Sequence, residues 1–336
     1  MQMDERLDDF ASCFSLANLM QAAIDCYKGV TWKRQPQAFM SRRLTNCNNL
    51  LDELMAGTYK PMPVEKFTLN ERGKIREVKP VNYRDRVVQR CLADHVLVPT
   101  IKRAIIEDNS ACLAGRGLSY AYERVRSHAT ACPADGWVLQ FDFSNYFASI
   151  DKAKLLVLLA DLIEDVRTLR LIEVIVSDDE GGLELGSHVS QLCATIYPTM
   201  LDEALISAPG VVGYHRYMDD GIVFCESRDD ALFARGVLEA AAHALGLSLS
   251  AKKTHINKIT QPFVFCKMRF RKLENGQIAM NVRKQQTRRS IKHAKAVKRL
   301  ADAHPELPID MEPVRASLRG YINKGNVNLS RLIDDI

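Results

Sequence analysis

The sequence lacks the cysteine spacing of a disulfide framework or a zinc ribbon. Its nine cysteines are odd in number and widely scattered, and none forms a Cys-x-x-Cys pair. This pattern predicts reduced thiols that are mostly buried. Long apolar runs are also absent, so no segment has the length of a membrane span. The first nine residues carry four acids, the opposite of a basic signal-peptide start, and a cytoplasmic protein without a membrane partner is expected.

Internal repeats and low-complexity linkers are absent as well. Hydrophobic residues make up 47% and charged residues 26% of the 336 residues. This is the balance of a globular protein. A chain of this length predicts two or three tightly coupled subdomains.

Acids are nearly missing from one part of the chain. Between Lys252 and Arg299 there are fifteen Lys or Arg residues and a single acid, Glu274. Such a surface fits a polyanion, because each contact with a phosphate releases counterions. The alternative is a solvated basic face that binds nothing.

Apolar residues at helical spacing predict most of the regular structure. Two N-terminal helices are predicted to form a cap. The predicted helices cover residues 10–30, 44–55, 84–106, 152–163, 188–206, 229–244, 287–303 and 311–322. Pro198 is expected to kink the helix over 188–206.

Runs of strand type bounded by turn residues predict hairpins. The first is predicted over 66–81, and in the last, residues 263–270 pair with 277–282 around Glu274-Asn275-Gly276. Between them, Trp137–Asp142 is an apolar strand. Two further strands, 214–217 and 221–225, flank Met218-Asp219-Asp220 as a tight turn.

The carboxylates at these turns suggest metal-dependent chemistry. Transfer of a nucleotide to a primer hydroxyl needs two Mg²⁺ ions, and such hard cations need carboxylates. Asp142 at a strand end and Asp219 and Asp220 in a hairpin turn would meet if their strands are neighbours in one sheet. A solvated turn is the alternative for any single Asp.

Several segments, in order along the chain, resemble the motifs of reverse transcriptases, especially bacterial enzymes related to those of group II introns. They are the fingers segments Gly73-Lys74-Ile75-Arg76 and Asp85-Arg86-Val87-Val88-Gln89, the metal motif Phe141–Phe147, the template and nucleotide helix Gly186–Gln191, the hairpin Tyr217-Met218-Asp219-Asp220, the segment Lys252-Lys253-Thr254 and the primer-grip hairpin Phe265–Phe270.

The resemblance implies a role for each matching residue. The catalytic residues would be Asp142, Asp219, Asp220 and Lys253. The metal-binding positions would be Asp142, Phe143, Asp219 and Asp220. The dNTP would be bound by Lys74, Arg76, Phe147 and Gln191, with Phe147 as the gate that rejects a 2′-hydroxyl. Nucleic acid would be bound by Tyr217, Met218, Cys266 and Lys267, and by Arg288, Arg289, Lys292 and Lys295 in the basic block.

Each of these roles has a simpler alternative. Phe147 can be an ordinary core aromatic beside Tyr146, and Lys74 can belong to a solvated basic hairpin. Lys252 competes with Lys253 for the role of proton donor to pyrophosphate, and a surface role is open to both.

The resemblance implies an α+β right-hand polymerase fold with fingers, palm and helical thumb. We expect an N-terminal helical extension over 1–61, fingers and palm over 62–282 and a basic thumb over 283–336. The expected cofactors are two Mg²⁺ ions, with Mn²⁺ as an alternative ion. The expected partners are an RNA template, dNTPs and the cDNA product, and an accessory protein or a second copy of the chain.

Ser190-Gln191 narrows the kind of enzyme that the sequence resembles. Retroviral, retron and intron enzymes usually carry Ser-Pro there, whereas Ser-Gln is typical of diversity-generating retroelements and of stand-alone bacterial enzymes linked to phage defence. Residues 108–117 and 197–202 look closer to the defence-associated set, which implies a dedicated structured RNA as template. A non-catalytic RNA-binding scaffold and a primer-independent nucleotidyl transferase of the same fold stay open as alternatives.

Overall fold

A computed structural model describes residues 10–71, 74–177, 181–282 and 284–322. The chain divides into two units, each made of three separate stretches. The first unit consists of Met1–Gly117, Phe143–Ala204 and Val237–Ser250, and the second of Leu118–Asp142, Leu205–Gly236 and Ala251–Ile336. Helices and antiparallel sheets are both present, so the fold belongs to the α+β class. None of the helices among the described residues is both long and apolar enough to cross a bilayer.

The first unit begins with four helices where the spacing predicted two. They are α1 (Phe10–Cys13), α2 (Leu16–Tyr27), α3 (Arg34–Ser41) and α4 (Arg43–Met55). Ser15 separates the first two, because its side chain accepts a hydrogen bond from the Asn18 amide at 3.2 Å and caps α2. The helix α3 was not predicted. It contains Pro36, which is tolerated because it lies in the first turn of the helix.

The hairpin predicted over 66–81 and the helix predicted after it are confirmed. The hairpin consists of β1 (Phe67–Glu71) and β2 (Lys74–Val78), which pair antiparallel. Residues 72–73 and the side chain of Lys74 lie outside what the structure describes. The helix predicted over 84–106 consists of three consecutive segments without a break: α5 (Tyr83–Leu92), a π-helical turn (Ala93–Leu97) and α6 (Val98–Ala104).

The rest of the first unit is helical. Its helices are α8 (Tyr146–Ser149), α9 (Lys152–Ala160), α10 (Val166–Val176) and α11 (His188–Ile196), followed by α12 (Thr199–Ile206), whose last residues belong to the second unit. The single kinked helix predicted over 188–206 is therefore wrong in detail. Pro198 ends α11 and starts a new helix, because proline removes a backbone donor and clashes with the preceding turn.

The second unit contains a four-stranded antiparallel sheet. The strands are β3 (Trp137–Asp142), β4 (Val211–Tyr217), β5 (Asp220–Cys225) and β6 (His255–Lys258), in the order β4-β5-β3-β6. The predictions of β3 and of the hairpin β4–β5 are confirmed. Two further elements were not predicted, the helix α7 (Leu118–Ala131) and the edge strand β6. The helix α13 (Arg228–Ala244) starts in this unit and ends in the first.

A second sheet of three strands corrects one prediction. Its strands are β7 (Phe263–Phe265), β8 (Met268–Lys272) and β9 (Ile278–Val282), and β7 pairs with β8. The continuous strand predicted over 263–270 is thus wrong, because the chain reverses at Cys266-Lys267. The part of the prediction that holds is the pairing of β8 with β9.

One apolar core joins α7 to both sheets of the second unit. It includes Val125 on α7, Phe224 on β5 and Phe263 and Phe270 on the smaller sheet, and the last two rings stack with centroids 5.5 Å apart. At the basic end, α14 (Lys284–Ala303) and α15 (Glu312–Ile322) pack through the buried residues Ala294 and Leu318, which agrees with the helices predicted there.

The nine cysteines are all free, and seven of them are buried. This outcome agrees with the prediction of reduced core thiols.

Candidate active site

The carboxylates of Asp142 and Asp220 lie side by side on one face of the larger sheet. Asp142 is the last residue of β3 and is directly opposite Asp220, the first residue of β5, while Tyr217 on β4 is opposite Asp220 on the other side. Residues directly opposite each other in antiparallel strands project to the same face. The strand of Asp142 and the hairpin are therefore neighbours in one sheet, which is the condition under which the carboxylates were expected to meet.

The hairpin that carries Asp219 and Asp220 turns in two residues. Between Tyr217 and Asp220 the loop consists of Met218 and Asp219, and Met218 has a φ of +56°. Glycine usually fills such a left-handed position at the first residue of a hairpin loop. The buried guanidinium of Arg216 donates to the carbonyl oxygen of Met218 at 3.0 Å and helps to hold the turn.

Burial and the neighbouring carboxylates shift the pKa of Asp220. Burial raises the pKa of Asp220 to about 6, and the charges of Asp219 and Asp142 add to this effect, whereas Lys253 and the backbone N–H of Cys266 oppose it. The negative charge at this face therefore exceeds what the neighbouring cation compensates.

Lys253 provides that cation. Its ammonium donates to the Asp142 carboxylate; the Asp142 side chain is 7% exposed and that of Lys253 52%. Burial lowers the pKa of Lys253, but the hydrogen bond to Asp142 and the charges of Asp142, Asp220 and Asp219 outweigh it, so the net pKa is raised. Of the two candidate lysines, Lys253 is the one whose ammonium contacts this face.

The donor chemistry of this face fits a hard divalent cation. Carboxylate oxygens are the ligands that Mg²⁺ and Mn²⁺ prefer, and a bound cation would offset the burial and the neighbouring negative charges that raise the pKa of Asp220. Among the residues that the structure describes, however, no three His, Cys, Asp or Glu side chains already form a metal-ligand group. Asp142, Asp219 and Asp220 thus supply the right donors, with Asp142 engaged by Lys253.

Cys266 is the neighbour of Asp220 from the smaller sheet. Its thiol is hydrogen-bonded to the Asp220 carboxylate, and its pKa is raised, first by burial and then by the charges of Asp220 and Asp219. The adjacent Lys267 is exposed. The predicted primer-grip residues therefore include one that contacts a predicted catalytic carboxylate.

The residues predicted to bind the nucleotide lie in the first unit. Arg76 is exposed on β2, and Gln191 is exposed on α11. Phe143, which was predicted as a metal-binding position, also lies in this unit; it is buried and stacks on Tyr146, with ring centroids 5.3 Å apart. Phe147 is half-buried and meets the Tyr146 ring edge-on at 5.9 Å.

Two cavities of the first unit contain these predicted residues. Phe147 lines one of about 220 Å³, together with Lys66, Lys79 and Glu184. Glu184 forms ion pairs with both lysines, at 3.3 and 2.9 Å.

Gln191 lines the second cavity, which has a volume of about 670 Å³. Four cations also line it, namely Lys28, Lys33, Arg86 and Arg90, against one carboxylate, Asp25. Asp25 is paired with Lys28 at 2.7 Å, so the cavity carries excess positive charge.

Two residues of the motif Asp85–Gln89, Asp85 and Gln89, are buried and form hydrogen bonds within the protein. Asp85 is buried and accepts hydrogen bonds from the Tyr59 hydroxyl at 2.9 Å and from the Met62 amide at 2.8 Å. Gln89 is buried too, and its side-chain oxygen accepts a hydrogen bond from the hydroxyl of Ser187, the residue that caps α11, at 3.1 Å.

The predicted basic surface of α14 is present in the second unit. Arg288, Arg289, Lys292 and Lys295 are all exposed. By the helical period, Arg289 and Lys292 lie on the side of the helix opposite the buried Ala294, and Arg288 and Lys295 lie on its flanks. Within the part of the chain that the structure describes, none of these four side chains pairs with Asp142, Asp219 or Asp220.

Three residues that support the site were missed by sequence reasoning: Tyr122, Arg216 and Gly221. Gly221 lies opposite Phe141, and a Cβ atom there would be 2.0 Å from Cζ of the Phe141 ring. Glycine directly after Asp220 was the one available signal, because glycine within a strand often marks a close approach. Tyr122 and Arg216 gave no such signal.

Comparison with known proteins identifies the class of this protein. Residues 64–292 match the family described as reverse transcriptase (RNA-dependent DNA polymerase). The match covers more than half of the chain, which therefore belongs to this family. The chain is also similar to Protein YkfC of Escherichia coli K12, with 24% identity over 265 residues that cover 64% of this chain and 68% of YkfC. Polymerases of this family generally use divalent metal ions.

Gly221→Ala is expected to lower the free energy of unfolding by about 1–3 kcal/mol, because the new methyl group overpacks the Phe141 ring. Gly236→Ala on α13 is the matched control, since a Cβ there meets nothing within 4 Å. It should stabilise the helix by roughly 0.5–1 kcal/mol. Urea denaturation measures both, and equal effects of the two substitutions would contradict the packing argument.

Proposed function

We propose that this reverse transcriptase synthesises cDNA on an RNA template through Asp142, Asp219 and Asp220, which would hold two Mg²⁺ ions, or Mn²⁺ in their place. The observation that carries the proposal is the direct pairing of Asp142 with Asp220 across β3 and β5. When bound, such ions lower the pKa of the primer hydroxyl and neutralise the charge on the leaving pyrophosphate.

Lys253 would act as the proton donor to pyrophosphate. Its raised pKa keeps it protonated, and its side chain is half-exposed beside Asp142. A protonated amine in this position can deliver a proton to the leaving group.

The nucleotide would be bound by residues of the first unit. Phe147 would exclude the 2′-hydroxyl, and Lys74 and Arg76 on the β-hairpin would contact the triphosphate. Gln191 would position the nucleotide or the template base. The cations around its cavity would add phosphate contacts, because guanidinium and ammonium groups form charge-assisted hydrogen bonds with phosphate oxygens.

We further propose that the fold forms a right hand. Fingers would extend over about 62–134 with part of the stretch after Ile150, after a helical extension over 1–61. The palm would be the sheet of the second unit, and the thumb the basic helices after Arg283. Primer and template would contact Tyr217, Met218, Cys266 and Lys267 in the palm.

Replacing Arg288, Arg289, Lys292 and Lys295 together by Gln is expected to weaken nucleic-acid binding and to flatten its dependence on salt. Fewer counterions are released when fewer phosphates are neutralised, and each lost contact reduces the slope by about 0.7–0.9. Binding of a primer–template duplex at several salt concentrations measures both effects.

The control for the thumb variant removes four exposed cations from the first unit, Arg34, Arg42, Lys102 and Arg103. It should keep the parental slope. If the thumb variant also keeps that slope, its cations form a solvated face and not a binding surface.

Incubation of the protein with dNTPs, with and without added RNA and primer, tests the proposed activity. An RNA-directed polymerase extends the primer according to the template, whereas a scaffold incorporates nothing. A primer-independent transferase adds nucleotides without a template. Only the first result supports the proposal.

The biological setting that we propose is synthesis on a dedicated structured RNA in antiphage defence, on the basis of Ser190-Gln191 and of residues 108–117 and 197–202. Sequencing the nucleic acid that copurifies with the protein would identify the template. A single recurrent RNA together with reduced phage plaquing supports defence. Mutated copies of a protein-coding repeat would instead support a diversity-generating role.

A further inference from the structure

The helix α7 is anchored to the smaller sheet at its carboxyl end. Lys272 on β8 is 7% exposed, and its ammonium donates to the carbonyl oxygens of Ala129 at 3.2 Å, Thr130 at 3.0 Å and Cys132. A cation there satisfies the last carbonyls of the helix and interacts favourably with its dipole. The position of α7 relative to β8 is thereby fixed.

The turn between β7 and β8 adopts a conformation that its own residues do not favour. Cys266 and Lys267 have φ values of +45° and +70°. Two left-handed residues in a two-residue hairpin loop form a type I′ turn, which usually contains Asn, Asp or Gly. Neither Cys nor Lys has a local reason to be left-handed, so contacts from other elements must hold the turn.

Tyr122 on α7 supplies one of these contacts. It is 7% exposed, its ring centroid lies 6.2 Å from that of Phe270, and its hydroxyl donates to the carbonyl oxygen of Cys266 at 2.9 Å. Burial raises the pKa of Tyr122 to about 12, and Cys266, Tyr217 and Asp220 contribute to this increase. The hydroxyl therefore keeps its proton and remains a donor.

The same turn holds the carboxylate of Asp220. The backbone N–H of Cys266 donates to it, and the Cys266 thiol is hydrogen-bonded to it as well. A continuous path of hydrogen bonds thus leads from Tyr122 through Cys266 to Asp220. Any change of the turn would also change the orientation of the carboxylate.

We propose that Tyr122 is a positioning residue for Asp220. Its hydroxyl keeps the Cys266-Lys267 turn left-handed, and the turn keeps the Asp220 carboxylate in the orientation that a divalent ion needs. The inference rests on the proposed function, because it takes Asp220 to be a metal ligand.

The test is Tyr122→Phe, which keeps the ring in the core and removes only the hydroxyl. Mn²⁺ binding, measured by electron paramagnetic resonance without nucleic acid, should weaken about fivefold, the net worth of one hydrogen bond. In primer extension at limiting Mg²⁺, kcat should fall by a similar factor while the KM for dNTP stays unchanged. Alkylation of Cys266, followed by peptide mapping, should become faster.

Tyr197→Phe is the matched control. The Tyr197 hydroxyl donates to the carbonyl oxygen of Leu245 at 2.6 Å in the first unit, so this variant loses the same kind of bond. It should melt at a temperature similar to that of Tyr122→Phe but keep the parental Mn²⁺ affinity and Cys266 alkylation rate.

A second variant separates positioning from packing. Asn tolerates the left-handed region, so Lys267→Asn in the Tyr122→Phe background should restore Mn²⁺ affinity. A loss of affinity that Lys267→Asn does not restore would assign the effect to packing and overturn the positioning role, as would unchanged affinity in Tyr122→Phe. If Asp219→Ala with Asp220→Ala binds Mn²⁺ like the parent, the proposed function itself fails.

Discussion

Replacing Asp219 and Asp220 together by Ala is expected to abolish DNA synthesis while the fold and RNA binding remain intact. The two carboxylates lie with Asp142 at the sheet face where metal ions would bind. Metal ions contribute several kcal/mol to such a reaction, and each 1.4 kcal/mol is a factor of ten in rate, so a loss of at least about a thousandfold is expected.

The stability of this double variant should hold or rise in the absence of metal. Burial and the neighbouring negative charges raise the pKa of Asp220, which means that its ionised form is disfavoured in the folded protein. Removing both carboxylates relieves this repulsion and leaves Lys253 paired with Asp142. Thermal melts in EDTA and RNA-binding assays measure the two properties that should not decline.

A matched control removes two other acids from the same unit. Glu226 and Asp229 are exposed and follow β5. Their joint replacement by Ala should leave synthesis near the parental rate. If the Asp219 and Asp220 variant incorporates nucleotides at the parental rate, the catalytic assignment is wrong. If both variants lose DNA synthesis equally, the loss is a general effect of charge.

Phe147→Ala is expected to let the enzyme incorporate ribonucleotides that the parent rejects. The ring is half-buried and lines a cavity of about 220 Å³, so it is not enclosed by packing on all sides. A ring at this position would fill the space of a 2′-hydroxyl. Truncation to a methyl group opens that space without adding or removing a hydrogen bond. The preference for a dNTP over the matching rNTP should therefore fall by a large factor.

The opposing hypothesis is that Phe147 serves only as core packing beside Tyr146. Truncation should then cost up to about 3–5 kcal/mol of stability and reduce the use of both nucleotides together. Single-nucleotide extension with a dNTP and the matching rNTP, measured beside a thermal melt, decides between these outcomes. A lower melting temperature with unchanged selectivity would refute the gate.

Phe39→Ala is a suitable control for this experiment. Phe39 is also half-buried in the first unit and also meets a tyrosine ring edge-on, that of Tyr83, with centroids 5.3 Å apart. Its truncation should lower stability to a similar extent. Selectivity against ribonucleotides should be unaffected.

Much of the site could be predicted from local patterns. The apolar run ending at Asp142 and the two strands around Met218-Asp219 are confirmed, because alternation and turn chemistry act over a few residues. The basic helices after residue 283 were predicted for the same reason. In contrast, one strand was predicted to run through Cys266-Lys267, since neither residue has the turn propensity of Asn or Gly.

The sequence by itself determined the carboxylates, the strands that carry them and the one-sided charge of the C-terminal helices. Only the tertiary structure decided which residues support them. Tyr122 meets Cys266 across 144 positions of sequence, and Gly221 is required because the Phe141 ring crosses it from the neighbouring strand. Such contacts depend on strand order and on packing between distant segments, so no local periodicity or propensity encodes them.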